Sequence, residues 1–234
     1  MNLFEESIEK IKIEAKTNPN KSGWRFLLTS KKTLEKNNGI LLITLNPGGD
    51  ANRPDHPSDS CENGCAYLEE PWKGKPKGTS PLQKQIQCLF REIANRLDKD
   101  CKEVLEASVC GYFIPFRSPA FDALAEKDRC IDFSKDLWRN ILSKLKFRVI
   151  FCIDRETYKN IREIFISMQY SEAQPSEEPT GWGNYRASIT HFEKGNQKVT
   201  LVRFPHLSRF SIFDRKESKE AICKIMDNAL QNYK

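Results

Sequence analysis

Apolar residues recur at helical spacing over residues 2–16, where Leu3, Phe4, Ile8, Ile11 and Ile13 alternate with charged positions. Trp24 to Thr29 is a short apolar stretch, and Lys31 to Asn37 reads as a short helix. Residues 40–45 (Ile-Leu-Leu-Ile-Thr-Leu) form a continuous β-prone run, the signature of a strand buried on both faces. Residues 46–80 then carry Gly and Pro throughout, without a period. A loop this long inside a compact domain is either functional or disordered, and Tyr67 and Trp72 argue against disorder.

Thr79-Ser80-Pro81 opens a helix, because a hydroxyl caps its first turn and proline suits that turn. Leu82, Ile86, Leu89, Phe90, Ile93 and Leu97 give the helix an apolar face. Residues 107–114 read as a second strand, 131–145 as a helix, 147–153 as a third buried strand and 158–168 as another helix. The runs 187–193 and 198–204 flank Lys-Gly-Asn-Gln and read as a hairpin, and a final helix covers about 215–232. Strands alternating with helices predict an α/β fold. The expectation is a single domain over 1–234, a three-layer α/β/α sandwich around a central, mostly parallel four-stranded sheet.

Strand ends concentrate the candidate chemistry. The first strand runs into Asn46-Pro47-Gly48-Gly49-Asp50, the second into Pro115-Phe116-Arg117-Ser118, and the last into Pro205-His206-Leu207-Ser208. In α/β sheets, ligands bind beyond the carboxyl ends of the strands. Pro47 removes a backbone donor, and the two glycines permit a turn in which backbone N–H groups stay accessible.

Composition adds less. The chain has 234 residues, a net charge of +6 and 38 Lys+Arg against 32 Asp+Glu, a balance compatible with a polyanionic partner but equally with an ordinary basic surface. No apolar run reaches the length of a membrane span, and the acidic start Met1-Asn2-Leu3-Phe4-Glu5-Glu6 lacks a secretory apolar region, so a cytoplasmic location without a membrane partner is expected. The eight cysteines contain no C-x-x-C pair, and Cys110 and Cys152 sit in strand-like runs as small hydrophobes. His56, Cys61 and Cys65 are near one another in sequence, but three ligands at this spacing do not complete a usual zinc site, so no metal is expected.

Taken together, the motifs Thr44-Leu45-Asn46-Pro47-Gly48 and His206-Leu207-Ser208, at the ends of a first and a last strand, resemble the uracil-DNA glycosylase superfamily. That family has an Asn-Pro-Gly type loop after its first strand and a His-Pro-Ser type loop after its last. The likeness covers about residues 24–230 and includes the helix opened by Ser80-Pro81-Leu82-Gln83. It implies a monofunctional DNA glycosylase acting without a cofactor, as a monomer, on a base flipped out of duplex or single-stranded DNA. Asn46 would hold the attacking water, with Asp50 as a secondary candidate, and His206 would donate to the departing pyrimidine. Tyr67, Trp72, Tyr112 and Phe116 are the candidate base-binding residues. Gly48, Arg117, Ser118, Leu207, Ser208, Arg209 and Phe210 are the candidates for gripping DNA or filling the gap in the stack.

One position departs from the family. Members that read uracil carry an Asn where this chain has Tyr112, and a phenol cannot reproduce the paired donor and acceptor of an amide. Gly111 beside it would enlarge the pocket. The expected substrate is therefore uracil or a modified cytosine, as for relatives that attack modified phage DNA in defence, alongside a role in repair. The alternatives are a glycosylase-like module that binds DNA or a partner without chemistry, a zinc enzyme built on His56, Cys61 and Cys65, and a nucleoside hydrolase.

Overall fold

A computed structural model describes residues 1–49, 56–72 and 74–233. The predicted three-layer α/β/α arrangement is present, but the sheet has seven strands rather than four. In chain order the elements are α1 (Leu3–Thr17), β1 (Ile40–Thr44), α2 (Ala66–Glu69), α3 (Pro81–Leu97), α4 (Cys101–Ala107), β2 (Val109–Tyr112), α5 (Lys127–Lys144), β3 (Val149–Cys152), α6 (Arg155–Ser167), β4 (Ser171–Glu172), β5 (Ser176–Pro179), β6 (Arg186–Lys194), β7 (Gln197–Arg203) and α7 (Lys219–Ala229).

The sheet order is β2-β1-β3-β7-β6-β4, and β5 also pairs with β6. Four neighbours, β2, β1, β3 and β7, are mutually parallel. The remaining three strands extend them in antiparallel fashion: β6 pairs with β7, and β4 and β5 share the outer edge of β6. The three strands beyond four are β6, the first run of the expected hairpin, and β4 and β5, which the sequence pattern does not mark. Their sequences, Ser-Glu and Ser-Glu-Glu-Pro, lack the apolar alternation that marks a strand facing a core.

Alternation along the inner strands builds two cores. Ile40, Leu42, Cys110, Phe151, Val202 and Phe204 face α2, α3, α4 and α7. Leu41, Ile43, Val109, Phe113, Ile150 and Leu201 face α1, α5 and α6. The capping box read from sequence closes α3: Ser80 Oγ accepts from Gln83 N at 3.4 Å, while Ser80 N donates to Gln83 Oε1 at 3.1 Å. Gln83 also donates to the carbonyls of Ala66 and Glu70, at 2.9 and 2.8 Å, so α3 pins the latter half of the long loop.

Parallel pairing sets the functional geometry. The register matches Thr44 with Tyr112, Ile43 with Cys152, and Cys152 with Arg203. All four parallel strands therefore end on one edge at nearly one level. The antiparallel β5 and β6 bring their connecting turn, residues 180–185, to that same edge.

Candidate active site at the carboxyl edge of the sheet

Asn46 and His206 each stand two residues beyond matched positions, Thr44 and Phe204, of the continued register. They are separated by β3 alone, so two strand spacings of about 4.8 Å place their backbones roughly 10 Å apart. That span suits two side chains reaching one nucleotide from opposite sides.

The β1 loop is braced by the β2 loop. Phe113 N donates to Thr44 O at 2.7 Å, Ile114 N to Leu45 O at 2.8 Å, and Ser118 N to Pro47 O at 3.2 Å. Asn46 is half-buried, and its Nδ2 donates to Ser118 Oγ at 2.8 Å. Ser118 Oγ in turn donates to Ala120 O at 2.8 Å. The chain of donors fixes which end of the amide is which. Nδ2 is committed to the protein, and among the described residues no donor engages Oδ1. The buried Arg117 donates to Gly48 O and holds the Gly48-Gly49 turn, in which Gly49 has φ +96°. Asp50 lies outside the described residues.

A further segment of chain covers the outer edge of β2 beside Asn46. Residues 24–28 run antiparallel along the outer edge of β2, with Arg25 N donating to Pro115 O, Tyr112 N to Phe26 O and Leu28 N to Cys110 O. This segment explains Gly111. A Cβ there would lie 3.0 Å from Phe26 O, so the glycine admits the neighbouring backbone and does not enlarge the pocket.

The segment also delivers Arg25, whose guanidinium forms a two-pronged ion pair with the Glu70 carboxylate at 3% and 8% side-chain exposure. Trp72 Nε1 donates to Glu70 at 2.8 Å, and Cys61 Sγ lies 3.0 Å from Arg25 Nη2. Burial alone would raise the Glu70 pKa. The hydrogen bonds and charge of Arg25, the Trp72 N–H and the His56 ring outweigh it, and the carboxyl sits below its ordinary value. Burial pushes the Cys61 thiol up to about 12. Tyr112 is half-buried beside this pair. Burial raises its pKa against the charges of Arg25 and Arg117, so its hydroxyl stays protonated.

The residues considered for zinc do not form a site. Cys61 is engaged by Arg25 and Glu70, while His56 Nε2 lies 3.2 Å from Pro71 O. Arg25 already neutralises the carboxylate between them. Among the described residues no three His, Cys, Asp or Glu side chains are grouped to hold a metal.

On the other side of β3, His206 is exposed and its Nδ1 lies 2.9 Å from Ser208 Oγ. Asp154, the N-cap of α6, accepts from Thr157 N at 2.7 Å and Thr157 Oγ1 at 2.6 Å. Burial raises the Asp154 pKa, while those bonds and the neighbouring His206 pull against it. Asp154 escaped the sequence reading, although it ends a buried strand just as Asn46 and His206 do.

Several other candidates sit elsewhere than expected. Leu207 is fully buried with Ile212 in the α7-side core, facing away from any base stack. Phe116 is buried in the opposite core, 5.5 Å from Phe133, with no face toward the pocket. Tyr67 is also buried, edge-on to Trp72 at 5.4 Å, so it supports Trp72 from behind. Ser208 and Arg209 are exposed, as is Gly48. Phe210 is half-buried against Tyr185 and Trp182.

Among the described residues no helix is long and apolar enough to cross a membrane. No protein-family model matches the chain, and no curated protein matches it in sequence.

Proposed function

We propose that the chain hydrolyses the N-glycosidic bond of a flipped-out pyrimidine, uracil or a modified cytosine, in DNA. The observation that carries this reading is the placement of Asn46 and His206 on one edge, at one level, on either side of β3. Both side chains are oriented by a neighbouring serine, Ser118 for the first and Ser208 for the second.

In this reading water adds to the anomeric carbon as the bond to the base breaks. The base departs with the bonding electrons, the sugar passes through an oxocarbenium-like state, and the proton lost by the added water passes to solvent. Asn46 Oδ1 accepts a hydrogen bond from the water and aims it. An amide is no base at neutral pH, so its contribution is position. His206, with Ser208 donating to Nδ1, carries its proton on Nε2 and donates to the pyrimidine oxygen as negative charge develops there. Asp154 lies close enough to that ring for their charges to interact. Trp72 and Tyr112 border the base, and the protonated Tyr112 hydroxyl offers one donor where relatives of the resembled family offer an amide. Arg117 shapes the Gly48-Gly49 turn for a phosphate.

The test is base release from duplex and single-stranded DNAs containing uracil, hypoxanthine, a thymine mismatch, hydroxymethylcytosine or glucosylated hydroxymethylcytosine. The expected result is an abasic product from one of them, reduced about 100-fold or more in both Asn46→Ala and His206→Ala. Absence of product from every substrate, with DNA binding intact, would replace the enzyme with a binding module.

A further inference from the structure

The β5–β6 turn carries an aromatic cluster to the same edge and the same face as the proposed active site. Tyr185 and Phe210 rings are 3.9 Å apart between centroids, and Trp182 meets Phe210 edge-on at 6.2 Å. Arg215 lies over the Trp182 ring at 4.6 Å. Tyr185 is 46% exposed. Phe210 is four residues after His206, in the loop that follows β7.

The turn is built to hold this arrangement. Thr180 Oγ1 donates to Tyr185 O at 2.8 Å, and Tyr185 N donates to Trp182 O at 3.1 Å. Gly181 has φ +75°, and a Cβ there would lie 2.6 Å from Ser218 Cα and 2.7 Å from Glu217 O. The turn is thus seated directly on the 217–218 backbone, and its rings are fixed before any ligand arrives.

Arginines flank the rings along the chain. Arg186 and Arg209 are exposed, and Arg215 is partly so, paired with Glu217 at 2.9 Å. An exposed Tyr185 backed by the half-buried Phe210 and Trp182, with arginines adjacent in the chain, matches the chemistry of a single nucleic-acid strand, where bases stack on rings and phosphates meet guanidinium groups. Paired bases in a duplex present no free face to such a platform. One strand spacing is about 4.8 Å and one stacked nucleotide rises about 3.4 Å, so the platform is roughly one to two nucleotides from a base served by His206.

We propose that Trp182, Tyr185 and Phe210 form a stacking platform for an unpaired base flanking the processed nucleotide, and that the chain prefers single-stranded to duplex DNA. The preference rests on the glycosylase reading for its purpose, but the platform is measurable without it.

The experiment is fluorescence anisotropy of the full chain with a fluorescein-labelled single strand of about 15 nucleotides, and with the same strand in a duplex, at one fixed salt concentration. Wild type should bind the single strand more tightly. Tyr185→Ala should weaken single-strand binding about tenfold and duplex binding by less than about twofold, while Tyr185→Phe keeps the ring and stays within about twofold of wild type. Equal losses on both DNAs, an unchanged Tyr185→Ala, or a Tyr185→Phe as weak as the alanine variant each overturn the platform. Base release measured on the same preparations separates the two ideas. Release without the Tyr185 effect removes the platform and leaves the enzyme; the Tyr185 effect without release from any substrate leaves the platform and removes the enzyme.

Discussion

The β2–β1 side of the carboxyl edge and the β7–β6 side are held by different forces. On the first, the loops after β1 and β2 bond to each other through backbone groups, residues 24–28 cover the sheet edge, and a buried Arg25–Glu70 pair ties the cover to the 56–72 segment. On the second, His206, Ser208, Arg209 and Tyr185 stand in solvent on short turns over a buried Leu207 and Phe204. The first side is organised inward, because Asn46, Arg25, Glu70 and Trp72 bond to groups inside the protein. The second is organised to meet a large partner, because its charges and rings point outward from a fixed base. A glycosylase needs both: a dry, shaped site for one base and an open surface for the strand that carries it.

If the first side is braced by charge, removing one partner there should have the largest effect on stability. Glu70→Ala leaves a buried guanidinium without its carboxylate and is expected to cost about 3–5 kcal/mol, read as a lower urea midpoint. Replacing both partners, as Arg25→Met with Glu70→Met, should cost less than the single change, since no uncompensated charge is then buried. A Glu70→Ala protein with the wild-type midpoint would break the contrast between the two sides.

The open side should respond in the opposite sense. His206→Ala is expected to change stability by no more than about 0.5 kcal/mol, because the side chain is exposed, while lowering base release about 100-fold or more. A smaller step follows at Ser118. Ser118→Ala frees the Asn46 amide to rotate, and one hydrogen bond of about 0.5–1.5 kcal/mol corresponds to a loss of up to about tenfold in kcat. If KM rises instead with kcat unchanged, Ser118 supports binding rather than the aim of the water.

The two sides also differ in how much of them could be read from the sequence. The strand-end positions of Asn46, Ser118 and His206 were legible because each follows a buried apolar run and has a proline close by, which are local signals. The α3 cap was legible for the same reason. The Arg25–Glu70 pair was not, since its members are 45 positions apart and nothing local marks either as buried. Helix α4 was missed because only Val104 and Leu105 of its seven residues are buried, so its end was absorbed into the following strand. Leu207 and Phe116 were misplaced because a strand-end loop identifies a place, while its side chains divide between solvent and core. The turn at 180–185 carried Gly, Trp and Tyr in plain view, but only the antiparallel β6 brings it to the active edge.

The smallest effect should come from two carboxylates, one on each side, whose pH dependences have opposite signs. Glu70 has a folded pKa below its unfolded value of about 4.5. Its contribution is present above that value and is lost as the pH falls through the folded pKa. Asp154 has a folded pKa above its unfolded value of 3.8, because burial penalises the charge more than Thr157 and His206 favour it. Its contribution is full below 3.8 and is lost as the pH rises through the folded pKa. Asp154→Asn keeps an N-cap of equal rank and removes the buried charge. Its urea midpoint should therefore exceed that of wild type slightly at neutral pH, with the gap closing as the pH approaches 3.8. A gap that instead widens toward acid would reverse the sign assigned to Asp154 and make it a second charge brace like Glu70, on the side that the structure leaves open.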